Sequence, residues 1–542
     1  MKKMKKILAF VMAMAMVLGM SLTSFAAGTN TTEAQIEGIE AELKDGQNTI
    51  HVKGYQIIRY DAKGAYEEVI ANTIDKDADG NLAPTAANAL ALAKRKAELG
   101  NPVDFTANAE GVYTASSSNG LTAGTWLVLV EGSSKYFYNP IIVSVEQGAD
   151  GLKYGTLNLA TDTWLGSDGT TTLYAKKSEP TITKTAEKEK DGDTEVVGTQ
   201  VGDILKFTVS ADIPGYITGS TGMKYSIKDV LTGLSLVKDD THMPVATVDG
   251  SADTTLTDAV NTAIVNDAAS FTVTGLGDAF LTANAGKQIV ITYYAKVTSA
   301  AKINVDELNN TATLSYSTND STEEHEKEAE TKHYTFGIDT GVNGTIGEET
   351  INKTGEFVKI NADGKIEYTE STGLIEKGEK TEVLQGAEFE LHIGAADGPK
   401  FGDKFTTDAS GRLEINGLDS DVDYYLVETK APTGYTINDT PIKVRITALF
   451  DASDSTKLTG YTVAIGEGEN QAITHYGYST ETKKTVLNTE NNASNPFGFK
   501  NTKLSSLPST GGIGTTIFTI GGCAIMIVAA GLYFASRRKS SK

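Results

Sequence analysis

The chain has 542 residues, of which 22% are charged, and its formal net charge is −22 at pH 7. So acidic a protein repels nucleic acid, and no basic patch offsets the effect. The single cysteine, Cys523, lies in an apolar segment near the C-terminus, which excludes a fold held together by disulfide bonds. The six histidines are scattered without zinc spacing, and no nucleophile elbow or phosphate loop is found, so neither an enzyme nor a cofactor is expected.

The N-terminus has the order of a secretory signal. Four lysines lie within residues 1–6, an almost wholly apolar stretch follows from Ile7 to Met20, and Ser24-Phe25-Ala26 supplies small residues for cleavage. This order predicts a cleaved signal peptide over residues 1–26 rather than a membrane span. An exported protein without disulfides needs another reinforcement if it meets force or proteases.

The body of the chain has an all-β pattern. Short runs rich in Val, Ile, Thr, Tyr and Phe alternate with Gly, Asp and Asn. One helix is predicted from Pro84 to Leu99, and strands are predicted from Thr125 to Glu131 and from Tyr136 to Val145. Length alone suggests about three or four domains, and the pattern of strands and turns favours three tandem β-sandwiches. Their expected bounds are 27–178 for the N-terminal domain with the helix, 179–335 for the middle domain and 336–503 for the C-terminal domain.

Two further segments were weighed as sites. The run Asp75 to Gly80 begins like a calcium loop, but position 12 of that loop would be Ala86 rather than an acid, so no metal site is predicted. Asp451 to Ser455 fits a metal-binding DxSxS pattern, but too little chain follows for the α/β fold that uses it, and a hairpin turn is predicted instead. The charged stretch Glu323 to Glu328 is predicted to be a solvated loop.

Polar groups extend apolar rows when the strands are followed with a period of two. In the middle domain, Ile182 leads to Lys184, Tyr225 and Ile227 lead to Asp229, and Leu308 leads to Asn310. The C-terminal domain repeats the arrangement with the residues Phe357 and Lys359, Tyr424, Leu426 and Glu428, and Phe497, Phe499 and Asn501. Each of these two domains therefore presents an amine, an acid and an amide to its core.

Burial of these groups has two chemical interpretations. Desolvation lowers the pKa of a lysine and raises that of an acid, which yields a nucleophilic amine and an acid able to relay protons. Such a set could join Lys to Asn as an isopeptide bond with release of ammonia. The alternative is a buried ion pair whose spare hydrogen bonds are filled by the amide. Periodicity alone favours the ion pair.

The segment from Tyr424 to Tyr435 closely resembles the "E-box" of sortase-assembled major pilins of Gram-positive bacteria. The resemblance implies collagen-adhesin A/B-type Ig-like domains in which an acid promotes a Lys–Asn isopeptide bond. In the C-terminal domain it implies Glu428 as the acid joining Lys359 to Asn501. In the middle domain, which resembles a companion type that uses Asp, it implies Asp229 with Lys184 and Asn310.

A pilin of this family also needs an acceptor lysine, which in the family follows a Tyr-Pro motif just before the second domain. Here Tyr174-Ala175-Lys176-Lys177 lies at that place, with alanine instead of proline, and Trp164 lies upstream, as a tryptophan often does in the family. The resemblance implies Lys176 as the acceptor, with Lys177 as the alternative. An ordinary pair of solvated linker lysines is the remaining interpretation.

The C-terminus, residues 504–542, resembles a cell-wall sorting signal. Its pentapeptide is Leu507-Pro508-Ser509-Thr510-Gly511, and an uncharged stretch long enough for a membrane helix runs from Gly512 to Ser536 before Arg537-Arg538-Lys539. In such signals a sortase cysteine cuts between Thr and Gly, here Thr510 and Gly511. The mature chain from Ala27 to Thr510 would carry a charge of 40 − 70 = −30, because the removed ends hold eight Lys and Arg and no acids.

These features predict the major shaft subunit of a covalent, peptidoglycan-anchored pilus rather than a turnover enzyme. The expected partners are a pilin sortase, a housekeeping sortase, other copies of the chain, minor pilins, peptidoglycan, and host or other cell surfaces. A monomeric wall-anchored adhesin and a minor basal or tip pilin are the alternatives. An acceptor lysine discriminates against the adhesin, and the lack of room for a large adhesive domain discriminates against a tip pilin.

Overall fold

The structure is a computed structural model of the full chain. It describes residues 33–60, 65–78, 80–148, 151–158, 163–165, 173–189, 198–217, 219–301, 308–319, 323–338, 356–369, 374–479, 484–487, 496–504 and 513–539. Strands dominate these ranges, as the all-β prediction required. The chain forms two compact units, Met1–Thr335 and Phe336–Lys542.

Among the described residues, the first part of the first unit contains a large mixed sheet and separate short strand pairs. Its strands are β1 (Ala34–Glu37), β2 (Leu43–Lys44), β3 (Gln47–Asn48), β4 (His51–Tyr60), β5 (Tyr66–Glu68), β6 (Val103–Ala107), β7 (Tyr113–Ala115), β8 (Gly124–Glu131), β9 (Phe137–Tyr138), β10 (Ile141–Gly148), β11 (Gly151–Asn158), β12 (Thr163–Leu165), β13 (Leu173–Tyr174) and β14 (Lys177–Ser178). The sheet order is β12-β11-β10-β8-β4-β6-β7-β1-β13, with β5 on β4. Strand β13 pairs with β1 in parallel, and β14 pairs with β9, so the chain leaves this sheet beside its first strand.

Two sequence predictions for this region need adjustment. Helix α1 spans Ala86–Lys94 and is followed by a 3₁₀ turn at Lys96–Glu98, so it is shorter than predicted. Its start is fixed by Thr85, whose hydroxyl accepts from the Asn88 N–H in a capping box. The strand predicted from Tyr136 to Val145 is interrupted between β9 and β10, where Pro140 has no N–H to donate to a ladder.

The rest of the first unit is a two-sheet sandwich. Its elements are β15 (Ile182–Lys188), β16 (Ile204–Asp212), β17 (Tyr225–Leu231), β18 (Leu234–Val237), β19 (Val245–Val248), β20 (Ser251–Ala252), α2 (Thr254–Ala263), β21 (Ser270–Val273), α3 (Asp278–Ala283), β22 (Gln288–Val297), β23 (Leu308–Ser317) and β24 (Glu324–His333). One sheet has the order β15-β16-β22-β19-β20, with β18 on β22, and the other has the order β21-β17-β23-β24. Side chains from both sheets form one apolar core.

The prediction of a solvated loop at Glu323 to Glu328 is wrong. Residues from Glu324 onward form strand β24, an edge strand paired with β23. Its four acids all lie at exposed positions and alternate with half-buried residues, and the hydroxyl of Ser315 on β23 donates to Glu326. Charged residues on an edge strand leave its ladder intact and discourage pairing with a second chain.

The two parts of the first unit interlock. Phe137 of β9 belongs to the sandwich core, and Ile217 from the sandwich packs into the cluster around α1. The Lys94 ammonium at the end of α1 donates to the Thr221 hydroxyl at 2.8 Å. Each part therefore completes an apolar cluster of the other.

The second unit is built from β25 (Phe336–Ile338), β26 (Phe357–Asn361), β27 (Ile366–Thr369), β28 (Leu374–Lys377), β29 (Glu388–Ile393), β30 (Lys400–Thr406), β31 (Ile415–Leu418), β32 (Asp423–Lys430), β33 (Ile442–Asp451), β34 (Asp454–Ile465), β35 (Ala472–Ser479), β36 (Lys484–Leu487) and β37 (Phe497–Asn501). Seven strands form a sheet in the order β30-β29-β32-β33-β34-β35-β36. Strands β26 and β37 pair in parallel, with Phe357 opposite Phe497 and Lys359 opposite Phe499. The hairpin predicted at Asp451 is confirmed, because Asp451 pairs with Asp454 across the β33–β34 turn.

The C-terminal helix α4 spans Ile513–Lys539. Within it, Phe518–Arg537 is long and apolar enough to cross a membrane, with a mean hydropathy of 2.0. This helix agrees with the predicted membrane segment of a sorting signal.

Candidate isopeptide and linkage sites

The first candidate site lies inside the sandwich of the first unit. Lys184 comes from β15, Asp229 from β17 and Asn310 from β23, so the lysine and the other two side chains belong to facing sheets. Alternation along these strands turns all three inward, and each is buried. The Lys184 ammonium donates to both Asp229 oxygens, at 2.7 and 2.6 Å, and to Asn310 Oδ1 at 2.5 Å. The three groups selected from the sequence are therefore in direct contact.

Burial shifts both ionisable partners toward their neutral forms. Desolvation lowers the pKa of Lys184 from 10.5 to about 8, against the opposing attraction of Asp229. Desolvation also raises the pKa of Asp229, although Lys184 and the other hydrogen-bond donors to its carboxylate partly offset the rise. Because the two shifts converge, moving the proton from amine to acid costs less here than in water. The site can therefore present a neutral amine next to an amide carbon.

A fourth polar group completes this site and was missed by the sequence analysis. The Tyr293 hydroxyl on β22 donates to Asp229 Oδ2 at 2.7 Å and accepts from Asn310 Nδ2 at 3.1 Å. The tyrosine ring stacks on Phe207, whose ring also lies under the Lys184 ammonium at 5.3 Å. The signal was present, because Tyr293 continues the buried row Ile289 and Ile291, but a tyrosine in such a row is typical of an ordinary core.

The second candidate site lies in the second unit. Lys359 on β26, Glu428 on β32 and Asn501 on β37 are all buried. The Lys359 ammonium lies 3.2 Å from Glu428 Oε1, and Asn501 Nδ2 donates to both Glu428 oxygens at 3.0 Å. Asn501 also donates to the Thr436 carbonyl, and Glu428 Oε2 accepts from the Asn438 N–H at 2.7 Å. Lys359 and Asn501 thus meet at one carboxylate.

Aromatic side chains enclose this second site. The Lys359 ammonium lies 4.1 Å from the ring centroid of Phe499 and 5.9 Å from that of Phe389. Desolvation lowers the pKa of Lys359 from 10.5 to about 8, although Glu428 pulls it the other way. The amine is therefore held largely free of water and close to its neutral form at mildly alkaline pH.

The two lysines weighed as acceptors differ in their surroundings. Lys176 is exposed and follows Ala175, which is fully buried. Lys177 is only 18% exposed, and its ammonium donates to Glu40 at 2.5 Å and lies 4.2 Å from the Tyr136 ring centroid. The hydrogen bond from Lys177 is the main reason that the pKa of Glu40 is lowered. Lys176 is therefore the more exposed of the two lysines.

Some predicted features lie outside the described residues. These are the signal peptide over residues 1–26 and the pentapeptide Leu507-Pro508-Ser509-Thr510-Gly511. The backbone of Trp164 is described in β12, but its side chain is not. In the ranges that the structure describes, no group of three or more His, Cys, Asp or Glu side chains could hold a metal ion.

Comparison with known proteins assigns both the anchor and the fold. The family model for an LPXTG cell wall anchor motif matches residues 500–542, and that for a SpaA-type prealbumin-like fold domain matches residues 370–460. The trypsin-resistant surface T6 protein of Streptococcus pyogenes is 26% identical over 468 residues, which are 78% of this chain and 80% of that protein. The chain is a homologue of this T6 surface protein.

A solved pilin shares the fold of this chain. The T6 backbone pilin of serotype M6 S. pyogenes, a modular three-domain structure, matches with a TM-score of 0.55 at 18% identity, over 90% of this chain and 100% of that chain. The full-length major pilin SpaD of Corynebacterium diphtheriae gives a TM-score of 0.45 at 19% identity, over 79% of this chain and 95% of that chain.

The anchor motif and the homology also establish where this protein is located. It is a cell-wall-anchored surface protein whose anchor implies a sortase and linkage to peptidoglycan. Its relatives are structural proteins, and the homology supports a pilus backbone subunit. The predicted family, sorting signal and cell-surface location are therefore confirmed.

Proposed function

We propose that this protein is the repeating shaft subunit of a covalent pilus, joined head to tail from Thr510 of one copy to Lys176 of the next. The observation that carries the proposal is the combination, in one pilin homologue, of an LPXTG anchor with an exposed lysine beside the strand pair that closes its first sheet. A sortase would hold the Thr510 carbonyl as an acyl-enzyme, and the incoming amine would release it.

Lys176 is the better acceptor of the two lysines. An acceptor amine must reach a thioester in another protein's active site, so it must be accessible. Lys176 is exposed, while Lys177 would first have to give up its ion pair with Glu40 and its contact with the Tyr136 ring. The buried Ala175, whose N–H donates to the Glu37 carbonyl at 2.8 Å, fixes the backbone next to the acceptor.

We further propose that each buried triad closes an isopeptide bond, Lys184 to Asn310 and Lys359 to Asn501. In each reaction the lysine nitrogen attacks the amide carbon, the bond from that carbon to Nδ2 breaks, and ammonia leaves. Asp229 and Glu428 would accept a proton from the amine and pass one to the leaving nitrogen. Ion contacts of 2.6 Å and 3.2 Å between amine and acid support these roles.

The domain bounds 27–178, 179–335 and 336–503 remain part of this proposal. Separate strand systems before and after residue 179 support the first bound, and the division between units at residues 335 and 336 agrees with the second. Each proposed bond would then lie within one domain, between a strand near its start and a strand near its end. In the middle domain that strand is β23, with β24 following it.

The shaft function is tested by immunoblotting wall extracts boiled in detergent. Wild-type cells should give a ladder of high-mass species, Lys176→Ala should abolish it, and the matched control Lys177→Ala should retain it. A ladder that survives Lys176→Ala but disappears with Lys177→Ala would move the acceptor by one residue. A single wild-type band would refute the polymer and favour a monomeric wall-anchored adhesin, while companion pilins and host ligands would need separate pull-down experiments.

A further inference from the structure

We propose that Tyr293 is a catalytic residue of the middle isopeptide site, where its hydroxyl carries the proton from Asp229 to the leaving nitrogen of Asn310. The inference rests on the proposed Lys184–Asn310 bond. It assigns to this site a second proton-transferring group that the C-terminal site does not use.

The two sites differ in how the acid reaches the amide. In the C-terminal site both oxygens of Glu428 lie 3.0 Å from Asn501 Nδ2, so one carboxylate contacts both the amine and the leaving group. Asp229 has a side chain shorter by one methylene. Within the part of the chain that the structure describes, no hydrogen bond joins its carboxylate to the Asn310 amide.

Tyr293 connects the Asp229 carboxylate with the Asn310 amide. Its hydroxyl donates to Asp229 Oδ2 at 2.7 Å and accepts from Asn310 Nδ2 at 3.1 Å. With Lys184 bonded to Asp229 at 2.6 Å and to Asn310 Oδ1 at 2.5 Å, the four side chains form a closed ring of hydrogen bonds. The ring connects the attacking nitrogen with the leaving nitrogen.

The position of the hydroxyl is fixed by packing. Tyr293 is fully buried, its ring stacks on Phe207 with centroids 5.2 Å apart, and it meets Phe271 edge-on at 5.0 Å. Burial and the nearby carboxylate of Asp229 raise the pKa of Tyr293 well above its ordinary value, so the hydroxyl keeps its proton at physiological pH. It therefore acts by passing a proton on rather than as a resident base.

The atoms balance in a single exchange. Asp229 first takes one proton from the Lys184 ammonium, and the neutral Nζ bonds to Asn310 Cγ. Asp229 passes that proton to the Tyr293 oxygen while the Tyr293 O–H proton moves to Asn310 Nδ2, and Asp229 then takes a second proton from Nζ. The bond from Cγ to Nδ2 breaks and ammonia leaves, with Tyr293 back in its starting state and Asp229 protonated. No oxidant or other co-reactant is needed.

The test follows closure of each bond in newly synthesised mature chain, residues 27–510, made by cell-free translation. Intact mass counts the ammonia molecules lost, and peptide mapping identifies the Lys184–Asn310 cross-link. Tyr293→Phe should slow this cross-link by about 10²-fold, the lower end of what general acid–base groups contribute. The rate of the Lys359–Asn501 cross-link in the same molecules serves as the internal reference and should be unaffected.

Two variants separate chemistry from folding. Tyr216→Phe removes a buried hydroxyl from the same core, one that donates to the Ser317 carbonyl at 2.9 Å, and should leave closure at the wild-type rate. In the Tyr293→Phe background, Asp229→Glu lengthens the acid so that it can reach Asn310 directly, as Glu428 reaches Asn501. Rescue of closure by at least tenfold is expected, and a purely structural tyrosine would not give it.

The outcomes are distinct. Closure of Tyr293→Phe at the wild-type rate, or a folded double variant without rescue, would overturn the role of Tyr293 and leave the bond in place. If wild-type chain never loses the ammonia of the middle site and Lys184→Ala maps identically, the proposed bond itself is refuted, and the role of Tyr293 with it.

Discussion

Replacing Asn501 with alanine would show how much the proposed C-terminal cross-link stabilises the second unit. The variant cannot form the bond, yet it keeps the buried pair of Lys359 and Glu428. The closed loop spans 501 − 359 = 142 residues, and the loop-entropy relation used for disulfides then gives about 5 kcal/mol of unfolding free energy lost. Urea titration of the mature chain with pulse proteolysis and mass detection of fragments from the second unit measures the loss.

The same variant should acquire a pH dependence that the cross-linked protein lacks. Its free Lys359 has a folded pKa of about 8 and an unfolded pKa near 10.5, so between these values the unfolded state binds more protons. Unfolding free energy should therefore rise with pH across this window, by about 3 kcal/mol relative to wild type, whose lysine would be an amide. Below pH 8 the unfolding free energy of the variant should not rise with pH from this group.

The matched control for this experiment is Asn438→Ala. It removes the side-chain hydrogen bonds to the Lys500 carbonyl and from the Thr440 N–H, keeps the backbone N–H that donates to Glu428, and should cost about 1 kcal/mol. The reasoning fails if Asn501→Ala unfolds at the same urea concentration as wild type. It also fails if wild-type chain retains the ammonia of Asn501.

Three further outcomes are expected. Gly411→Ala should slow the Lys359–Asn501 cross-link, because a Cβ on Gly411, whose φ is +70°, would lie 2.7 Å from the Lys359 carbonyl oxygen. The control is Gly434→Ala, where φ is +88° and a Cβ would have nothing within 4 Å, and it should leave the intact-mass time course unchanged. Lys184→Ala should leave the mass of one ammonia unreleased, and release of both in the mass spectrum would contradict the middle bond. His242 lies between Asp239 at 2.8 Å and Glu189 at 2.9 Å, and hydrogen bonding to Asp239 raises its pKa. The protonated ring therefore stabilises the fold fully below pH 6.5, and this contribution is lost as pH rises through the folded pKa; His242→Phe should abolish that trend in urea midpoints.

Sequence periodicity was enough to find most of the candidate sites. Lys184, Asp229 and Glu428 each extend an apolar row with a spacing of two, and a buried charge in such a row is rare enough to be noticed. Tyr293 was missed because a tyrosine in a buried row is ordinary, and only its two hydrogen bonds distinguish it. The apolar rows can be followed without knowing which strands are neighbours, whereas the two hydrogen bonds of Tyr293 cannot be predicted without that knowledge.

Other features depend on pairing between distant segments. The acids around Glu326 resemble a solvated loop until β23 is known to lie beside them and to give them a ladder. Lys176 and Lys177 are adjacent in sequence, but the Lys177 ammonium donates to Glu40, which lies more than a hundred residues earlier in the chain. Local patterns cannot reveal such partners, because they arise from the order of strands in a sheet.

The parallel pairing of β26 and β37 determines how far the second unit could be drawn out. The chain enters this pair at Phe357 and leaves it after Asn501, so with the cross-link closed the 142 residue steps between Lys359 and Asn501 form a side loop. At about 3.4 Å per residue, that loop holds roughly 480 Å of contour length. In a fibre of such subunits, a pull on the chain ends could not draw out this length of the second unit.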